Sequence, residues 1–205
     1  MSGSGPGWEK LLKFRCTGCG NCCKGTYICV TDADVRRLSE GLKRPVESFI
    51  RFIPEDDIGL GKRHGWWVRF ARRKLRGVMA LKWTKGRRCI FLDEHDRCTA
   101  YAYRPIVCRI HPFNVTLTDE DKGGVAKLTM NRVTPCPHEW DGHVKKGELG
   151  LLERLLWRES DAYMTKVVAW NRRRKGVRTP RQYLRELFEG GRPSSRKIRP
   201  SARVA

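Results

Sequence analysis

Residues 15–24 read RCTGCGNCCK, four thiols in eight positions with only Gly, Thr and Asn between them. Such a stretch offers no apolar stripe for a helix and no alternation for a buried strand. What it can form is a tight, glycine-assisted turn that aims sulfurs at one point while its backbone amides face the same way. The rest of the chain must therefore be arranged around this turn.

Cys16, Cys19 and Cys22 have the CxxCxxC spacing, which supplies three ligands and leaves a fourth to be found elsewhere. Bacterial ferredoxins pair three cysteines at this spacing with a remote cysteine followed by proline. Cys136 stands in TPCPH, and the parallel favours a 4Fe-4S cluster. Cys23 complicates the picture, because neighbours in an extended stretch point apart. It either serves a second metal or sits behind the first. Cys89, Cys98 and Cys108 have no CxxC pair among them; with Cys23 they would complete a tetrahedral site of four thiolates, with His111 as an alternative nitrogen ligand. The ninth cysteine, Cys29 in the apolar run YICV, is expected to pack in the core as a small hydrophobe. The cofactor expected is thus an iron-sulfur cluster or zinc: one cluster plus a zinc, or two zincs. The opening MSGSGPGWEKLLKF lacks the basic start and apolar run of a secretory signal, and no apolar stretch is long enough to span a membrane. A soluble, cytoplasmic protein is expected, and in a reducing compartment clustered thiols hold metal more often than disulfides.

The segments FRCTGCGNCC and CIFLDEHDRCTAYAYRPIVCRIHPF, with Cys136 beyond them, resemble the CxxCxxCC cysteine-cluster family, described as zinc- or iron-chelating and related to the flagellin lysine N-methylases. The resemblance runs over roughly residues 14–137 and implies metal binding through Cys16, Cys19, Cys22, Cys23, Cys89, Cys98, Cys108 and Cys136. Where the family usually has an aromatic residue before Pro112 and Phe113, this chain has His111. The chain also looks too short for the further region of the methylases, so methyl transfer is not carried over. Kinship with them still raises an enzyme alternative: metal-dependent redox or group-transfer chemistry on a protein, which requires an open coordination position or a reducible centre. Arg104 and Arg109 flank Cys108 and are candidates for neutralising the site or gripping an anion, against the plainer role of surface ion pairs. His64 and His95 read as loop residues, while His138 and His143 bracket Trp140 near Cys136. No Walker loop, dinucleotide fingerprint, nucleophile elbow or HExxH helix is present.

The pattern predicts an α+β fold: a small cysteine-rich metal-binding domain with short helices and antiparallel hairpins, followed by C-terminal helices and a disordered basic tail. The boundaries expected are a leader over 1–13, the cysteine-cluster domain over 14–146, a helical segment over 147–191 and the tail over 192–205. Within the domain, TDADVRRLSEGLKR reads as a helix capped by Thr31 or Asp32, and PVESFIRFI as a second short helix starting at Pro45. WWVRFA and GVMALKW read as strands of a basic hairpin, with CIFLD a further strand. YRPIVCRIHPF reads as a helical turn between Pro105 and Pro112, and NVTLT with GVAKLTM as a strand pair. A long helix is expected over 148–170, and another over RQYLRELFE behind Thr179 and Pro180.

Charge adds one more expectation. Lys and Arg total 43 against 22 Asp and Glu, net +21. Residues 62–88 carry 11 basic and no acidic residues, and residues 172–205 carry a net +10, so these two segments hold the whole excess. The first interleaves Trp66, Trp67, Phe70 and Trp83 with its cations. Cations attract phosphates and exposed aromatics stack on unpaired bases, so nucleic acid (RNA) or another polyanion is a candidate partner, with Arg72, Arg73 and Lys74 as contacts and any metal then structural. The competing expectation is that at least two of these aromatics face the core.

Overall fold

The computed structural model describes residues 8–59, 64–70, 76–119, 124–131, 134–173 and 178–189. Arg72, Arg73, Lys74 and the basic tail lie outside the described residues. The fold is α+β, built of short antiparallel ladders and four helices. The elements are β1 (Arg15–Cys16), α1 (Asp32–Leu42), β2 (Ile50–Pro54), β3 (Val68–Arg69), β4 (Arg76–Leu81), β5 (Trp83–Thr84), β6 (Arg88–Cys89), α2 (Ile106–Ile110), β7 (Phe113–Asp119), β8 (Gly124–Met130), β9 (His138–Glu139), α3 (Lys146–Asn171) and α4 (Pro180–Glu189).

Two hydrophobic cores result. In the first, the sheet β2-β4-β3 is covered by α1, α4 and the C-terminal half of α3, with Val35, Leu38, Phe49, Met79, Tyr163, Val167 and Trp170 buried together. β4 is central and buried on both faces, which is why VMAL is apolar without alternation. In the second, α2, the β7–β8 hairpin and the N-terminal half of α3 enclose Phe14, Ile106, Ile110, Phe113, Leu128 and Leu149. At 26 residues α3 is about 39 Å long, enough to serve both cores. The cysteine turn lies between them: Phe14 belongs to the second core and Cys23 to the first.

α1 begins as its sequence predicts. Thr31 accepts from the Asp34 amide while the Asp34 carboxylate accepts from the Thr31 amide, a capping box. Thr179 likewise accepts from the Gln182 amide ahead of α4. The segment from Pro45 departs from expectation. Only Val46–Ser48 makes a helical turn, and Ile50–Pro54 is a strand. Val46, Phe49, Ile50 and Ile53 have helical spacing, but pairing along the buried strand β4 with Ile50 opposite Leu81 and Ile53 opposite Val78 prevails over it. CIFLD is not a strand either: only Arg88–Cys89 is extended, because the chain turns at once to place Leu92 opposite Cys98. Among the described residues of WWVRFA, Val68–Arg69 form the strand, paired antiparallel with β4. The aromatics of this segment turn inward: Trp67 is buried, Trp66 meets Tyr163 edge to face, and Phe70 packs on Phe52.

Candidate metal centre

The turn is built by its spacers. Gly18 and Gly20 take left-handed backbone angles (φ 70° and 68°), and a Cβ on Gly20 would stand 2.7 Å from the Asp96 carbonyl oxygen. The Cys23 amide donates to the Gly20 carbonyl and Lys24 to that of Asn21, closing a 3-10 turn over Asn21–Cys23. The Gly18 amide points at the Cys16 sulfur at 3.4 Å, the type of donor a thiolate uses. Thr17 and Asn21, which carry no signal beyond being polar, have a definite task. Thr17 Oγ1 donates to the Pro137 carbonyl and Asn21 Nδ2 to that of Pro135, so the two spacers clamp the strand on either side of Cys136. Pairing of β1 with β9 sets Cys16 opposite His138, and Arg15 grips Asp141 at 2.7 Å. His138 sits between Phe14 and Trp140 with Nδ1 2.5 Å from the Cys136 carbonyl.

The other thiols come from separate elements. Cys23 and Cys89 are buried, and the bridge between Lys24 and Arg88 brings their strands together. Asp96 braces the same place by pairing with Lys24 (2.6 Å) and Arg88 (2.7 Å). Cys98 closes the turn that Asp93 organises by accepting the amides of His95 and Arg97. Cys108 lies on α2, whose first amide, Ile106, donates to the Asp34 carboxylate at 3.0 Å. All nine cysteines are free thiols.

The thiols influence one another in two overlapping sets. Cys136 is pushed up to about 11, first by burial and then by Cys16, Cys19 and Cys22. Cys108 is pushed well up by burial and then by Cys23, Cys22 and Cys98. Cys23 lies at about 12: the Cys22 contact at 3.9 Å favours its thiolate, but donation to Cys89 and burial outweigh that. Cys22 is raised by donation to Cys23 and by burial. Cys98 is raised by burial, whereas Cys89 is lowered because the Cys23 thiol donates to it. Cys22 is common to both sets. Among the described residues no three His, Cys, Asp or Glu side chains are gathered closely enough to grip an ion as they stand. The donor chemistry fits a soft metal nonetheless: buried, mutually destabilising thiols become favourable once a cation replaces their protons.

All eight candidate cysteines lie within the span of a known family model, which matches residues 15–137 and is described as a "putative zinc- or iron-chelating domain". The chain belongs to the CxxCxxCC family. Among curated proteins, an uncharacterized protein of Methanocaldococcus jannaschii is 30% identical over 120 residues, covering 58% of this chain and 52% of the relative. The chain spans about half the length of that protein. No solved structure matches this chain. The CxxCxxCC domain thus has a zinc or iron chelator's cysteines, and the clamp by Thr17 and Asn21 shows how its far end is held to its near end. No helix among the described residues is long and apolar enough to cross a membrane.

The remaining candidates divide. Arg104 lines a cavity next to the thiols, its Nε donating to the Tyr101 carbonyl and its guanidinium 3.6 Å from the Tyr101 ring centre. Arg109 is exposed and does not line that cavity. His111 lines it, with burial lowering its pKa and Nε2 buried without a partner among the described residues. Cys29 is not the core residue expected: it is half-buried, lines the same cavity, and is raised to about 11 by burial.

Proposed function

We propose that the chain is a metal-binding protein with two thiolate centres, Cys16, Cys19, Cys22 and Cys136 holding one and Cys23, Cys89, Cys98 and Cys108 the other. The observation that carries this reading is how Cys136 is held: Thr17 and Asn21, spacers of the CxxCxxC turn, donate to the carbonyls of Pro137 and Pro135 on either side of it, more than a hundred positions further along the chain. The Gly18 amide on the Cys16 sulfur supports an iron-sulfur cluster, 4Fe-4S, at the first centre. The more deeply buried second set, with four thiols and no solvent ligand required, suits tetrahedral zinc. Bound metal would supply the positive charge that allows these buried thiols to ionise. The test is metal analysis of protein purified without oxygen, with Cys136→Ser and Cys108→Ser each removing one centre and sparing the other. Loss of both centres in either variant would overturn the division.

A second reading has its own observation. Tyr27 stacks parallel on Trp83 with ring centres 4.0 Å apart, and Arg87 lies over the Trp83 ring at 4.7 Å. Rings and cations layered in this way resemble a platform for an unpaired base, and Lys85 is exposed beside it. Binding of single-stranded RNA should then fall steeply with salt, and weaken both in Trp83→Ala and when Arg72, Arg73 and Lys74 are neutralised. Binding indifferent to salt and to these changes would dispose of it.

A further inference from the structure

The cavity beside the thiols is far larger than metal ions require. Its volume is about 730 Å³. Zinc lies only about 2.3 Å from its sulfurs and so adds almost nothing to the space its ligands already define. The volume equals that of roughly two dozen water molecules and falls in the range of organic-ligand sites, about 300–1,000 Å³. Cys22, Cys23, Cys89, Cys98 and Cys108 line one part of it, while Trp66, Tyr27, Ile28, Leu81, Phe91 and Val107 give the rest an apolar and aromatic wall.

Apart from the thiols, the charged side chains on this wall are Asp96, Arg97 and Arg104. Its single acid, Asp96, is already paired with Lys24 and Arg88. Arg104 is different. It is half-buried, rests on the Tyr101 ring and spends only Nε on the Tyr101 carbonyl, so among the described residues its two terminal nitrogens have no acceptor. Pro105 holds residue 104 in an extended conformation (φ −51°, ψ 143°), which fixes the direction of its side chain's root. A guanidinium held in place with both terminal nitrogens free matches a carboxylate, which that end can grip by two parallel hydrogen bonds. Arg97 also lines the cavity but is exposed on its rim.

We infer that this cavity binds a small organic carboxylate with an apolar or aromatic body, the carboxylate held by Arg104 and the body against Trp66, Tyr27 and Phe91. The inference deepens the metal-binding reading, since it takes the thiols on the cavity wall as metal-bound and no longer available to the ligand. A monoanion is favoured over a phosphate because one half-buried cation faces it and thiolates surround it. The site gives the chain a second chemical capacity: an organic molecule held within reach of a metal centre.

The experiment is isothermal calorimetry of the full chain, purified without oxygen, with 2-naphthoate and its uncharged counterpart 2-naphthamide. Metal content is measured on the same samples. The acid should bind with one-to-one stoichiometry and at least about tenfold more tightly than the amide. Arg104→Gln should abolish that preference, Arg104→Lys should restore only part of it because the fork is lost, and Arg97→Gln should change it less than about threefold. Equal binding of acid and amide by metal-replete wild-type protein, or no binding of the acid, overturns the inference while leaving the metal reading intact. Metal-free protein that still prefers the acid does the reverse.

Discussion

Asp34 is the residue whose replacement should be felt furthest. Its carboxylate is buried and accepts four hydrogen bonds: from the Thr31 amide and hydroxyl (both 3.1 Å), from Arg37 (2.6 Å) and from the Ile106 amide (3.0 Å). It therefore ties the start of α1 to the start of α2, and so positions Cys108, while Arg37 carries the connection on to Glu159 of α3. Asp34→Asn keeps the shape but has one acceptor oxygen where two are needed, so its amide N–H₂ must face either Thr31 or the pair Arg37 and Ile106. Hydrogen bonds to a charged group are worth about 1.5–3 kcal/mol each, and breaking a buried charged arrangement typically costs about 3–5 kcal/mol. A loss of about 3–5 kcal/mol is expected, a large fraction of the stability of an ordinary domain. For a chain of this size it corresponds to a fall of roughly 10 °C in the unfolding midpoint. Urea unfolding followed by tryptophan fluorescence gives the value. Glu159→Gln is the comparison: it leaves all four bonds to Asp34 in place and keeps one acceptor oxygen for Arg37, so it should cost clearly less than Asp34→Asn. If Asp34→Asn lies within about 1 kcal/mol of wild type, the assignment of Asp34 as the joint between α1 and α2 is wrong.

Three other outcomes follow from the same structure. Gly20→Ala forces a side chain against the Asp96 carbonyl at a left-handed backbone position, so the cysteine turn should open and metal content per chain should fall, as elemental analysis would show. Cys29→Ser should leave metal content unchanged, and in wild type Cys29 should alkylate slowly at neutral pH because a thiol near 11 is only about one part in ten thousand ionised. Glu153 is raised by burial, an effect partly offset by the bond from Trp157, so its charged form is disfavoured in the fold. A carboxylate raised in the folded state binds its proton more tightly there, and stability rises as pH falls through that range. Glu153→Gln should therefore be slightly stabilising at pH 7, by less than about 1 kcal/mol, and neutral at pH 4; the opposite order in thermal melts would contradict this.

Much of this fold is legible in the chain because its signals are local. Thr31 announces the start of α1, the prolines at 105 and 112 bracket α2, and Thr179 with Pro180 opens α4. The eight candidate thiols can be named from their spacing, and the bonds from Thr17 and Asn21 to the carbonyls beside Cys136 bring that segment to the CxxCxxC turn. Where the reading goes astray, a long-range contact outweighs a local pattern. Val46, Phe49, Ile50 and Ile53 are spaced for a helix, yet the chain extends from Ile50 onward because β4 offers a full ladder beside it. Cys29 follows an apolar run but also lies beside the cavity, which no local pattern encodes. The clamp by Thr17 and Asn21 depends on two carbonyls more than a hundred residues away. The free end of Arg104 depends on Asp96 being matched already by Lys24 and Arg88, which no local pattern encodes.

The central claim is best tested by the metal content of the full chain purified without oxygen, measured as atoms per chain together with the visible absorption spectrum. Two centres predict about four irons and one zinc per chain, with broad sulfide-to-iron absorption that disappears in Cys136→Ser while zinc is retained. Protein that folds and contains neither iron nor zinc would contradict the account.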